Sequence, residues 1–141
     1  MPVKTSIIIP CHNAALTLDL QLESIHCQEG AEPFEVLVVL NNCTDNSAQL
    51  VENWRDRLDI QAIEANELAG ASYARNVGAR HARGSQLIFC DADDALSAHY
   101  VAHAQRALSE KELFCGGYPA VPEKYFNGPY FPAGALELLK I

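Results

Sequence analysis

The sequence predicts an α/β fold, a Rossmann-like open and mainly parallel sheet flanked by helices. Short β-branched apolar runs alternate with segments of helical periodicity. Three of those runs end abruptly in polar or acidic residues. The chain has 141 residues, 49% of them hydrophobic, enough for one domain with a core. Strands alternating with helices imply right-handed crossovers. In such sheets ligands bind beyond the carboxyl ends of the strands. Pro10 to Asn13, Leu40 to Asp45 and Asp91 to Asp94 all fall at such ends and are expected to meet at one crevice.

Each element has its own justification. Thr5 to Ile9 is a β-branched run stopped by Pro10, hence a buried strand. Asn13 or Thr17 can cap the next helix, in which Ala14, Leu18, Leu22 and Ile25 share a face and which Gly30 ends. Phe34 to Leu40 is a second buried strand, running into the polar turn Asn41 to Ser47. Leu50, Val51, Trp54 and Leu58 form the stripe of a second helix, and Ile60 to Glu64 a weaker third strand. After a loop over Asn66 to Gly70, a helix from Ala71 or Ser72 to Ala82 is built mainly of small residues. Gly78 in its interior costs about 1 kcal/mol against Ala, which points to close packing, and Gly84 reads as the C-terminal stop. Ser97 can cap a last helix with Val101, Ala104 and Leu108 inward, and Leu113 to Tyr118 reads as a fifth strand.

The fourth strand is the organising stretch. Leu87 to Cys90 is a short apolar run, read as buried, that ends in Asp91-Ala92-Asp93-Asp94. If extended, Asp91 and Asp93 lie on one side of the chain, roughly 6–7 Å apart. Like charges so close call for a cation between them, and a hard divalent metal carrying phosphate oxygens answers that need. Asp93 and Asp94 equally suit the opening of the next helix.

Composition excludes several classes. Net charge is −8, and no basic stripe appears, so nucleic acid is not expected as a partner. The five cysteines form no CxxC pair and read as reduced thiols of a cytoplasmic protein. The start lacks a signal-peptide pattern, and no apolar stretch is long enough to cross a membrane. His99 and His103 have chelating spacing without an evident third ligand, so an exposed helical face is the simpler reading. A thiol nucleophile at Cys43 or Cys90 would need His12 as its base.

Ser6 to Asn13, with its strand ending in Pro10, resembles the opening of the family-2 glycosyltransferases with the GT-A fold. Phe34 to Val39 with Thr44-Asp45, Ala74-Arg75-Asn76-Val77-Gly78, and Asp91-Ala92-Asp93-Asp94 resemble three further motifs of that family, in the right order over residues 5–94. The resemblance implies a nucleotide-diphosphate sugar donor and inverting transfer. It implies Mg²⁺ or Mn²⁺ held by Asp91, Asp93 and Asp94, with Asp91 also touching the ribose. Asn13, Asn41 and Arg75 would contact the nucleotide, and Pro10 and His12 would shape the pocket floor. The chain departs from the family in having Leu40-Asn41 where an Asp-Asp or Asp-Asn pair is usual, His12 for an aromatic residue, and Ala14 for an acidic one.

The resemblance divides the chain into a nucleotide-sugar-binding domain, residues 1–118, and a Pro- and aromatic-rich segment, residues 119–141. The latter is the start of an acceptor half that would supply the catalytic base, or a covering tail. On this reading the chain is a truncation, a natural fragment, or a short member that borrows the rest from a partner. Glu110, Glu112, Glu123 and Glu137 read as solvated charges and leave the base unassigned. The acceptor, a saccharide, lipid or protein, is open. So are a homodimer and work at the inner face of a membrane. Two rivals stand beside this reading: a non-catalytic nucleotide-sugar-binding or interaction module, and a nucleotidyltransferase. Against the latter, no Gly-rich, Lys-bearing loop follows Pro10.

Overall fold

A computed structural model of the chain describes residues 2–112. The expected fifth strand, the segment 119–141, and Glu123 and Glu137 lie outside the described residues. Four parallel strands, β1 (Thr5–Cys11), β2 (Phe34–Leu40), β3 (Ile60–Glu64) and β4 (Gln86–Phe89), form one sheet in the order β3-β2-β1-β4. The helices are α1 (Leu18–His26), α2 (Ser47–Asn53), α3 (Ala71–His81) and α4 (Tyr100–Glu110).

Alternation along the strands sorts the helices onto two faces. Ile7, Ile9, Val36 and Val38 point to the face packed by Leu18, Leu22, Ile25, Val51, Val101 and Ala104 from α1, α2 and α4, with Trp54 just past the end of α2. Ile8, Leu37 and Val39 point to the other face, covered by Ala74 and Val77 of α3. The chain builds outward from β1 to β3, then crosses beneath the sheet through α3 to place β4 on the far side of β1. That reversal opens a crevice at the carboxyl ends of β1 and its neighbours. The small residues of α3 let it lie close to the sheet. A Cβ on Gly78 would sit 2.5 Å from Cγ2 of Ile8 and 3.0 Å from Cγ2 of Val39.

Several expectations need correction. Pro10 does not stop β1, which continues through Cys11. The Ile8 carbonyl accepts from Cys90 N–H, so the even residues of β1 turn their backbone toward β4, which ends at Phe89. The missing N–H of Pro10 therefore falls where the ladder has already run out. Strand β4 is an edge among the described residues, with Ile88 buried and Phe89 exposed, not the buried strand its composition suggests. Thr17 stands at the N-cap of α1 without a side-chain capping bond, and Asn13 is engaged elsewhere. His99, not Ser97, stands at the N-cap of α4, and Ser97 contributes only its carbonyl, which accepts from Tyr100 N–H.

Gly84 is not a helix stop either. The cap position is Ala82, in extended conformation, and a Cβ on Gly84 would lie 2.7–2.8 Å from backbone atoms of Lys4, Thr5 and Ser6. The glycine is there because β1 passes against it. Its N–H donates to the Ser6 hydroxyl, which in turn donates to Glu35 at 2.6 Å. Glu35 is 1% exposed and also accepts from Arg83 N–H at 2.7 Å and Arg83 Nε at 2.8 Å. Burial alone would raise this carboxyl, but the bonds from Ser6 and Arg83 and the guanidinium charge hold it below the usual carboxylate range.

Two outcomes follow for stability. Gly84→Ala should destabilise the fold by about 1–3 kcal/mol, since the added methyl meets backbone that cannot rotate away; an unchanged urea midpoint would contradict this. Because Glu35 is lowered on folding, its contribution is present at neutral pH and is lost as the pH falls through its folded value. The urea midpoint of the wild type should therefore drop on acidification below about pH 5 more steeply than that of Glu35→Gln.

Candidate active site

The three strand ends do converge. Pro10, Cys11, His12, Asn13, Asn41, Asn42, Asp91 and Asp93 line one cleft of about 690 Å³. Leu16 and Thr17 before α1, and Ala69, Gly70, Ala71 and Ala74 around the start of α3, complete its walls.

Backbone conformation and long-range hydrogen bonds set the first two loops. Asn13 has φ 49°, a left-handed conformation that asparagine tolerates. Its side-chain oxygen accepts from Thr44 N–H at 2.7 Å and Asp45 N–H at 3.3 Å. In return Asp45 accepts from Ala15 N–H at 3.0 Å. The Ser47 hydroxyl, bonded to Asp45 at 2.6 Å, helps hold that carboxyl below its usual range. The His12 ring nitrogen Nδ1 lies 2.8 Å from the Asn41 carbonyl, which can only accept, so Nδ1 carries the hydrogen. The sequence alone did not mark Asp45 as a brace between the loops that follow β1 and β2.

Asn41 is buried at the end of β2. Its amide nitrogen donates to the carbonyls of Ala65 at 2.6 Å and Leu68 at 2.7 Å, and its oxygen accepts from Gly70 N–H at 3.0 Å.

The acidic turn is held from behind. Asp94 N–H donates to the Asp91 carbonyl, and Asp91 N–H to the Asp94 carboxylate, closing a tight turn. Gln21 of α1, fully buried, donates to the Asp91 carbonyl at 2.9 Å, and Ser24 accepts from Leu96 N–H at 2.9 Å. Gln21 is another residue the sequence reading passed over. Its signal was a polar side chain on the Leu18–Leu22–Ile25 stripe. One carboxylate oxygen from each of Asp91, Asp93 and Asp94 can lie within 4.8 Å of the others. Hard oxygen donors so clustered suit Mg²⁺ or Mn²⁺. Partial burial, with the nearby charges of Asp91 and Asp93, raises the Asp94 carboxyl. Arg75 of α3 pairs with Asp91 at 3.2 Å, which brings the predicted cation to the acidic turn.

The chain matches the Glycosyl transferase family 2 model over residues 6–132. It belongs to that family. It is 34% identical over 119 residues to the uncharacterized glycosyltransferase YfnE of Bacillus subtilis, covering 81% of this chain and 30% of the relative. Its fold matches the crystal structure of residues 1–349 of Staphylococcus aureus TarS in complex with UDP, with a TM-score of 0.70, 26% identity, and 89% of this chain against 40% of that one. It also matches the mannosyltransferase PcManGT of Pyrobaculum calidifontis, in complex with GDP-Man and Mn²⁺, with a TM-score of 0.64, 26% identity, and 77% of this chain against 33% of that one. The chain spans about a third or less of the length of the curated relatives it matches, 30% of YfnE and 19% of TarS. The four-stranded parallel sheet is thus the GT-A type. Among the described residues no helix is long and apolar enough to cross a membrane.

The other constellations lie apart from this cleft or lack the partners they would need. His99 lies 3.6 Å from Glu29, and the one group of three or more metal-type ligands among the described residues is the Asp91 cluster, so the histidine pair is not part of one. Cys11 and Cys43 approach to 4.0 Å at sulfur, and both are free thiols, as are Cys27 and Cys90. Burial pushes the Cys90 thiol up to about 12, with the Asp94 and Asp91 charges adding to it, and burial pushes Cys11 up to about 11. Burial thus disfavours a thiolate at Cys90. The Cys43 thiol donates to the Cys11 carbonyl at 3.2 Å and His12 Nδ1 is bonded to the Asn41 carbonyl, so neither thiol of the nucleophile reading is paired with that histidine nitrogen. After a short iodoacetamide pulse at pH 7.5, peptide mapping should find Cys90 labelled at least about tenfold more slowly in the native chain than in urea. Equal labelling would show an accessible thiolate.

Proposed function

We propose that this chain is the donor-binding portion of a glycosyltransferase that transfers a sugar, with inversion, from a nucleotide-diphosphate sugar. The observation that carries the reading is the meeting of the carboxylate cluster with the ends of β1 and β2 in one cleft. Asp91, Asp93 and Asp94 would hold a divalent cation at the donor diphosphate, and Asp91 would also touch the ribose. That cation, when bound, stabilises the charge developing on the departing nucleoside diphosphate. His12 and Pro10 form the floor beneath the nucleotide, and Asn13 and Asn41 its wall. Arg75, whose pair with Asp91 is exposed at both ends and so worth about 0–1 kcal/mol, exchanges that partner for an anionic oxygen of the donor.

Similarity supports the donor class. TarS has been solved with UDP and with UDP-GlcNAc, and the mannosyltransferase with GDP-Man and Mn²⁺. Inverting transfer also needs a base to take the acceptor hydroxyl proton. The carboxylates lining the cleft among the described residues, Asp91 and Asp93, belong to the metal cluster, so the base is sought beyond residue 112 or on a partner chain. That division favours, as a second reading, a module that binds the nucleotide sugar without turning it over.

Calorimetry of the chain with UDP and with GDP, each with and without Mn²⁺, tests the proposal. Binding to one nucleotide should require the metal and fall at least about tenfold in Asp93→Ala. Metal-independent binding, or binding indifferent to that substitution, would overturn it. Hydrolysis or transfer of the matching nucleotide sugar by the chain alone would remove the module reading, and pyrophosphate release from a nucleoside triphosphate would revive the nucleotidyltransferase.

A further inference from the structure

We infer that Asn41 serves nucleotide binding as a positioning residue, by building the cleft wall over residues 65–70, and not as a reader of the base. The inference rests on the donor-binding reading above and deepens it. Three main-chain groups of that segment converge on the one amide, the carbonyls of Ala65 and Leu68 and the N–H of Gly70. Both amide hydrogens are therefore spent. Turning the amide over would set its oxygen against two carbonyl oxygens and its NH₂ against an N–H, so its orientation is fixed.

Burial cannot hold this segment. Of residues 65–70 only Ala65 is buried, and Leu68 is 62% exposed. Polar ties do the holding instead. Ala65 N–H donates to the Leu40 carbonyl, and Asn66 accepts from Asn42 N–H at 2.9 Å, both on the same side of the cleft as Asn41. Gly70 stands at φ 121°, a conformation few L-residues adopt, and leads straight into α3. Ala69, Gly70 and Ala71 line the cleft, and Arg75 follows one turn on. Loss of the amide would release the wall and the approach of α3 to the acidic turn.

Asn41→Asp separates positioning from reading. The variant is isosteric and keeps the oxygen that accepts from Gly70, but it presents a carboxylate oxygen to the Ala65 and Leu68 carbonyls. A residue that reads the base through its oxygen tolerates the change or gains from it. A residue that positions through its NH₂ does not. With UDP or GDP and Mn²⁺ at pH 8, affinity should fall at least about tenfold, with the chain still folded by circular dichroism. The ratio of variant to wild-type affinity should recover toward pH 5.5, because the protonated carboxyl regains one donor. In the nucleotide-free chain, hydrogen exchange at Gly70 and Ala71 should accelerate in Asn41→Asp, or in Asn41→Ser if the carboxylate unfolds the chain, while exchange in β1 stays unchanged. Affinity within twofold of wild type, a ratio flat with pH, or unaltered exchange at Gly70 would overturn the inference alone. Failure of the wild type to bind either nucleotide would overturn the donor-binding reading, and this inference with it.

Discussion

Strand β1 is hydrogen-bonded on both edges, to β2 along residues 5–11 and to β4 along residues 5–8. The parallel register sets Cys11 beside Leu40, and Cys90 still donates to the Ile8 carbonyl as β4 ends. The residues that follow these strands, His12, Asn41 and Asp91, therefore emerge on one rim. A slip of β1 by one residue against its neighbours would turn Ile7 and Ile9 from α1 toward α3 and carry the cleft-lining side chains with them. The amino ends of the same strands are secured separately. There Ser6, Glu35 and Arg83 satisfy one another below the sheet, and Asp59 adds a second carboxylate to Arg83 at 2.6 Å. The sheet thus has a closed polar network at one end and an open cleft at the other.

Beyond the sheet, the rim is assembled by side chains that bond to main chain far away in sequence. Asn13 takes N–H groups of the loop after β2, Asp45 takes one from the loop after β1, Asn41 holds the entry to α3, and Gln21 holds the acidic turn. These are mostly short polar residues with little rotamer entropy to lose, bonded to backbone that would otherwise be solvated loop. Loops held in this way are preorganised. Binding then need not supply the free energy of ordering them.

The same division explains what could be read in advance. Ile60 to Glu64 and Phe34 to Leu40 were legible to the residue, because a β-branched run between polar breaks has few other homes. The tight approach of Gly78 was legible because a helix built of small residues has little else to offer a sheet. Asn13 and Gly84 were misassigned because their local signals are degenerate. An asparagine before a helix suits a cap or a left-handed brace equally, and a glycine after a helix suits a stop or a close crossing. What decides is a partner 31 residues away for Asn13, and the backbone of β1 for Gly84. Asn41 was legible as a cleft residue, but the carbonyls of Ala65 and Leu68 that occupy its donors were not. The edge position of β4 among the described residues depends on strand order, which no property of Gln86 to Phe89 encodes.

The electrostatics of the cleft narrow its ligand further. The chain carries net charge −8, and the cleft concentrates carboxylates where the sheet delivers its ends. A bare anion entering there meets like charge. A bare cation would satisfy the carboxylates yet leave the far side of the cleft, with Pro10, Cys11, His12, Ala69 and Gly70, without a role. On the proposed donor-binding reading, a ligand that is a metal-bound anion at one end and a flat, partly apolar group at the other would match both halves at once. Asp94 fits this account, since a divalent charge would offset the burial and the neighbouring carboxylates that raise its carboxyl. The Arg75–Asp91 pair fits it too. Arg75 offsets part of the acidic field, and on the proposed reading a metal held by the carboxylate would leave its planar fork available to an anionic oxygen of the donor.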